Sequence, residues 1–76
     1  MSVQENGAEL LILMGNKLKE KRTELNFSTA ELARKTNISE FLLCEIEEGR
    51  RGMSVEIFFE IKKALCVSFG YLFGEE

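Results

Sequence analysis

The chain contains no histidine and no proline, and only two of its 76 residues are cysteine. Without histidine, the common zinc sites and His-based acid–base or nucleophilic catalysis lack their ligand or base. Cys44 and Cys66 lie far apart, show no metal-ligand spacing and read as small apolar residues in a reducing compartment. The absence of proline, together with runs of Glu, Lys, Leu, Ala and Ile, leaves little to interrupt helices. Long hydrophobic runs are missing too: Leu10 to Met14 is far too short to span a bilayer. Asn26-Phe27-Ser28 and Asn37-Ile38-Ser39 match the glycosylation sequon, but no secretory signal accompanies them, so a cytoplasmic protein is expected. An excess of positive charge is also absent. The net charge is -3, whereas nucleic-acid binders are basic on at least one face, so local clustering has to decide that question.

The residues present favour a single small domain, since 76 residues suffice for one core and 45% of them are apolar. At this size one core is only marginally stabilising, which makes dimerisation or very regular helix packing a reasonable expectation. Residues 1–8 read as a flexible N-terminal tail, and residues 9–76 as the folded domain. From Glu9 the spacing predicts a helix with Leu11, Met14, Leu18, Arg22 and Leu25 on one face. Leu10, Ile12 and Leu13 make its start apolar all round, so either the tail or a partner chain is expected to cover it.

Four further helices follow from cap chemistry. Asn26 suits a left-handed helix end, and Ser28 with Glu31 fits a capping box opening a helix over about Thr29 to Thr36. Asn37 makes a second left-handed turn, and Ser39 caps a helix from about Glu40 to Glu48, stopped by Gly49. Ser54 caps a helix reaching Leu65 with Phe58, Ile61 and Leu65 inward. Ser68 caps a short last helix ending near Phe73, with Leu72 in the core. The expectation is an all-α, five-helix bundle with short connections.

The order Leu32-Ala33, Asn37-Ile38, Leu43 and Ile46 meets the steric needs of a helix-turn-helix. A small residue allows close approach, a left-handed residue makes the turn, and apolar residues lock the following helix across it. Any compact helical bundle shows part of this pattern. The whole set, however, resembles the phage-repressor or Xre-type helix-turn-helix family, with a lambda-repressor-like fold. Gly15, Arg22, Ser28-Thr29-Ala30-Glu31-Leu32-Ala33 and Asn37-Ile38-Ser39 carry the resemblance. So do Leu43-Cys44-Glu45-Ile46-Glu47-Glu48-Gly49-Arg50-Arg51, Ser54 and Ala64-Leu65-Cys66-Val67-Ser68.

The resemblance implies a sequence-specific DNA-binding transcriptional regulator, acting as a homodimer on double-stranded operator DNA. Within the family, the chain looks most like restriction-modification controller proteins or small phage-type repressors. Arg22 is implied to pair with Glu47 in a partly buried contact. Thr29, Ser39, Arg50 and Arg51 are implied to hold phosphates, and Glu40, Phe41, Cys44 and Glu45 to meet base edges. Lys17, Lys19, Lys21, Arg34 and Lys35 add local positive charge, whereas Lys62 and Lys63 read as a solvated face.

The chain also departs from the family pattern. Thr29 stands where the family usually has Gln, Asn37 replaces the turn glycine, Met53 replaces a common proline, and the base-facing positions are acidic. An alternative is therefore a protein-interaction module on the same fold, its acidic third helix docking another regulator with weak or no DNA binding. Phe41 fits a partner contact or simple packing on a neighbour, and Leu10, Ile12, Ile57, Phe59, Phe69 and Tyr71 suit dimer or partner surfaces. An enzyme has no support in the residues: there is no nucleophile–base set and no phosphate-cradling glycine loop. No cofactor, metal or membrane is expected.

Overall fold

The computed structural model describes residues 3–72, with side chains from residue 7 onward. Five helices follow one another: α1 Val3–Glu24, α2 Thr29–Thr36, α3 Glu40–Glu47, α4 Val55–Leu65 and α5 Phe69–Leu72. No strand occurs among the described residues. The expected ending of α5 near Phe73 lies outside them.

The first helix starts six residues before the expected Glu9, so most of the supposed tail continues α1. Once a helix is nucleated, each added residue fixes one set of dihedrals and gains one hydrogen bond. Val3 to Ala8 contain only Gly7 to oppose that extension, at a cost of about 1 kcal/mol. Because these residues prolong the helix, they do not fold back over Leu10, Ile12 and Leu13, which remain 40%, 50% and 38% exposed.

The caps follow the chemistry read from the sequence. The Ser28 hydroxyl accepts from the Glu31 N–H at 3.0 Å while the Ser28 N–H donates to the Glu31 carboxylate at 2.8 Å, completing the capping box. Ser39, Ser54 and Ser68 accept from the N–H groups of Leu42, Ile57 and Tyr71 at 3.0, 3.1 and 3.1 Å. Asn26 and Asn37 take left-handed conformations at φ 63° and 59°, and Gly49 does so at 76°. Cys66 also ends α4 in this conformation, at φ 56°, a role for which a cysteine carries no sequence signal.

The core gathers Leu18 from α1, Leu32 and Ala33 from α2, Leu43 and Ile46 from α3, Ile61 and Leu65 from α4, and Leu72 from α5. Phe58, expected on the inward stripe of α4, packs half-buried against this cluster and meets Phe69 edge-to-face at 4.9 Å. Ile57 and Tyr71, expected on an outer surface, also pack against the core. Leu25, expected on the inward face of α1, is 39% exposed. The Leu25 N–H still donates to the Lys21 carbonyl at 3.0 Å, but left-handed Asn26 follows at once, so Leu25 sits at the open end of α1.

Close approach between α1 and α3 sets the frame of the molecule. A Cβ on Gly15 would lie 2.6 Å from the carbonyl oxygens of both Ile46 and Glu47, so only glycine fits here without a backbone shift. Just past the Ile46–Glu47 carbonyls, Gly49 lies against the backbone of Ile12. Between these helices, Arg22 donates through Nε to Glu47 at 2.6 Å and through Nη2 at 3.1 Å. Its Nη1 donates to the Phe27 carbonyl at 2.8 Å. Both partners are buried, and hydrogen bonding to Glu47 holds the Arg22 pKa above its ordinary value. This is the pair that the family resemblance implies.

Candidate nucleic-acid interface

The candidate interface is the outer face of α3, and α2 sets its angle. At the end of α2, Asn37 is left-handed and the Ile38 N–H donates to the Ala33 carbonyl at 3.0 Å, closing the helix end. Buried Leu32 and Ala33 let α2 approach α3 closely, and Leu43 and Ile46 anchor α3 from beneath. With Leu43, Ile46 and Glu47 turned inward, helical periodicity sends Glu40, Phe41, Cys44, Glu45 and Glu48 outward. Phe41 is 71% exposed and Cys44 is half-buried, so Phe41 does not pack into a neighbour, one of the two roles its residue type allowed.

The structure brings the eight predicted site residues to one region of the molecule, but in a relation the sequence does not reveal. Thr29, at the start of α2, donates its hydroxyl proton to the Glu40 carboxylate at the start of α3. Beyond α3, the Arg50 N–H donates to the Glu45 carbonyl at 3.0 Å, and the left-handed Gly49 folds the chain back beside the last helical turn. There Arg51 Nη2 lies 3.2 Å from Glu45 Oε1, and Arg50 Nη1 lies 3.4 Å from Glu48 Oε1. Three of the four expected phosphate contacts are thus each partnered by a carboxylate of the α3 segment. The fourth, Ser39, uses its oxygen to cap α3, which leaves its hydroxyl proton to donate elsewhere.

Glu48 is not among the predicted site residues, and its place beside Arg50 adds it to them. The Arg50–Glu48 and Arg51–Glu45 pairings are foreshadowed only by Gly49, whose reversal brings the residues on either side of it together. Thr29 and Glu40 are eleven residues apart and meet only because α2 packs on α3, which no local pattern announces.

The lysines expected to add charge here are partly committed elsewhere. Lys17 and Lys21 sit over the Tyr71 ring at 5.3 and 5.7 Å from its centre, and Lys21 also pairs with Glu24 at 3.1 Å. Lys35 covers Phe27 at 5.1 Å. On α4, Lys62 covers Phe69 at 5.2 Å rather than standing fully solvated, and Lys63 pairs with Glu60 at 3.5 Å.

Among the described residues, no group of three or more carboxylates or cysteines is placed to hold a metal ion, and no helix is long and apolar enough to cross a membrane.

Neither a family model nor a curated protein matches the sequence. Solved structures do match. The restriction-modification controller protein C.AhdI from Aeromonas hydrophila is 27% identical with a TM-score of 0.78, over 83% of this chain and 96% of that one. Two structures of the clp gene regulator ClgR from Corynebacterium glutamicum are each 29% identical with a TM-score of 0.81. They match 87% of this chain and 70% and 85% of theirs. The five-helix fold with its helix-turn-helix is thus shared with these regulators. Its solved neighbours are transcription regulators, and the helix-turn-helix of this protein is α2–turn–α3.

Proposed function

We propose that this protein is a sequence-specific DNA-binding transcriptional regulator that acts as a homodimer on a two-fold symmetric operator. The observation that carries the reading is the outer face of α3, angled off the core by α2 and followed at once by Arg50 and Arg51. In this reading α3 enters the major groove, and Thr29, Ser39, Arg50 and Arg51 hold phosphates. Glu40 and Glu45 accept hydrogen bonds from base amino groups such as cytosine N4, and Phe41 and Cys44 touch thymine methyls. The exposed apolar residues Leu10, Ile12, Leu13, Phe59 and Phe69 support a homodimer, because a small monomer gains by covering such surface.

The test is binding of fluorescent duplex DNA across a salt series. The expected result is an affinity that falls with salt. Replacing Arg50 and Arg51 by alanine should reduce the logarithmic slope by about two units. No binding at low salt to generic DNA or to the upstream region of its own coding sequence would remove this reading. Sedimentation addresses the dimer separately: only monomer at high micromolar concentration removes the homodimer.

A second reading, docking of α3 on another protein, is favoured by one feature. Phe41 stands exposed among carboxylates, while the adjacent arginines are already paired. Absence of DNA binding together with an intact fold is the result that selects it.

A further inference from the structure

The three donor–carboxylate contacts around α3 form a single pattern. Thr29 is held by Glu40, Arg51 by Glu45 and Arg50 by Glu48. Every one of these acceptors is a carboxylate, the side-chain group that most resembles a phosphate in charge and geometry for a hydroxyl or guanidinium donor. The two arginine pairs are open to water: Arg50 and Arg51 are 69% and 54% exposed, and their partners 56% and 20%. Such pairs are weak and exchange readily, so they hold the donors without locking them.

We propose that Glu40, Glu45 and Glu48 act as intramolecular phosphate surrogates, which suppress binding to DNA at large and thereby set the specificity of the interface. The inference rests on the DNA-binding reading above and concerns how the same site discriminates. To reach phosphates, Thr29, Arg50 and Arg51 must leave their carboxylates, which then stand unpaired in the strongly negative field of the duplex. A random sequence offers those carboxylates nothing in return. A site with amino groups of cytosine or adenine at the facing positions gives them hydrogen bonds, so the exchange favours that site alone. The acidic residues therefore weaken every complex, and the wrong complexes most.

The experiment compares the full chain with the Glu45→Gln/Glu48→Gln variant and with the variant that adds Glu40→Gln. Binding is read on a mixed-sequence duplex across a salt series. Glu60→Gln is the matched control, because it removes the same kind of charge and also frees a cation, Lys63, but on α4. The expected result is a gain in generic affinity of about five-fold for each carboxylate removed beside an arginine. Circular dichroism and the denaturation midpoint should stay close to those of the parent, since the substituted residues lie outside the core.

Three outcomes overturn the inference. Generic affinity unchanged or reduced in the α3 variants means the carboxylates do not restrain the donors. A gain per carboxylate in Glu60→Gln equal to that in the α3 variants means that only net charge matters. If neither the parent nor any variant binds at low salt, the DNA-binding reading itself fails. Parent binding without a gain in the α3 variants leaves that reading intact and removes only this one. A parent that binds the upstream region of its own coding sequence but not the mixed-sequence duplex, beside α3 variants that bind both, is the strongest support.

Discussion

The same chemical pair, arginine with glutamate, occurs on both sides of α3. On the inner side Arg22 meets Glu47 at 2.6 Å, with side chains only 9% and 5% exposed. On the outer side Arg51 meets Glu45 at 3.2 Å, with side chains 54% and 20% exposed. The inner arginine spends its donors on two carboxylate oxygens and a backbone carbonyl, and no buried side-chain polar atom among the described residues lacks a hydrogen-bond partner. Water competes for the outer pair at every moment. Burial therefore assigns the two pairs different work. The inner one ties α1 to α3 and cannot be halved without leaving a charge stranded, whereas the outer one can open and close without disturbing the core.

The largest effect follows from halving the inner pair. Glu47→Ala leaves the Arg22 guanidinium buried beside a cavity, at a cost of about 3–5 kcal/mol. A domain of this size has roughly 5 kcal/mol or a little more in total. Replacing both partners, as in Arg22→Met with Glu47→Leu, should cost distinctly less than Glu47→Ala alone, because no charge is left unpaired. Urea midpoints of the three proteins check this. A Glu47→Ala protein within about 1 kcal/mol of the parent would show that the inner pair behaves like an outer one.

The second effect concerns the frame around that pair. Gly15→Ala pushes a methyl group to 2.6 Å from two α3 carbonyls, atoms of a helix backbone that cannot turn aside. The expected loss is about 1–3 kcal/mol, against the gain of up to about 1 kcal/mol that alanine normally brings to a helix interior. Gly7→Ala in the same helix supplies that reference, since a methyl group at that position meets nothing within 4 Å. Thermal melts should move in opposite directions for the two substitutions. Movement in the same direction would mean that α1 and α3 do not meet as closely as described.

The inner side of α3 is legible in the sequence and the outer side only partly so. Ser28 with Glu31, Asn37, Ser39 and Gly49 announce caps and turns through local chemistry, and all act as expected. Leu32, Ala33, Leu43 and Ile46 announce the core through periodicity. The Arg22–Glu47 pair, 25 residues apart, comes from the family pattern, because no local rule links them. The start of α1 departs from expectation because polar residues and one glycine suggest fraying, whereas helix propagation from a well-packed segment outweighs so weak a penalty. The outer pairs escape a sequence reading because a charge pattern shows which residues are charged and not which way flexible side chains turn. The family resemblance points to the eight site positions that the fold gathers, yet the carboxylate beside each donor becomes visible only once α2, α3 and the Gly49 turn are in place.

The third effect is a small one, and its size is the point. Glu45→Gln and Arg51→Ala remove the outer pair one partner at a time. Each should change stability by no more than about 1 kcal/mol, since exposed pairs are screened and lose side-chain entropy when formed. Urea midpoints measured at low and high salt check this, with any loss shrinking as salt rises. A loss comparable to that of Glu47→Ala would place the outer pair among the structural contacts and leave it unfit to exchange with a phosphate.

The smallest effect separates a third kind of carboxylate from both arginine pairs. Glu31 is exposed, yet it accepts the Ser28 N–H at 2.8 Å, and its pKa lies below the ordinary value of 4.5. The backbone bond from Ser28 is the main cause, followed by its side chain, with Arg34 and Lys35 adding attraction. Because the folded pKa is the lower one, the ionised form favours the folded state. That contribution is complete above 4.5 and disappears as pH falls through the folded value. Glu31→Gln keeps a side chain able to accept the same bond but cannot titrate. Its denaturation midpoint should therefore fall less steeply than the parent's as pH drops below 4.5. Parallel curves for the two proteins would assign the acid sensitivity to other carboxylates and remove Glu31 from the capping account.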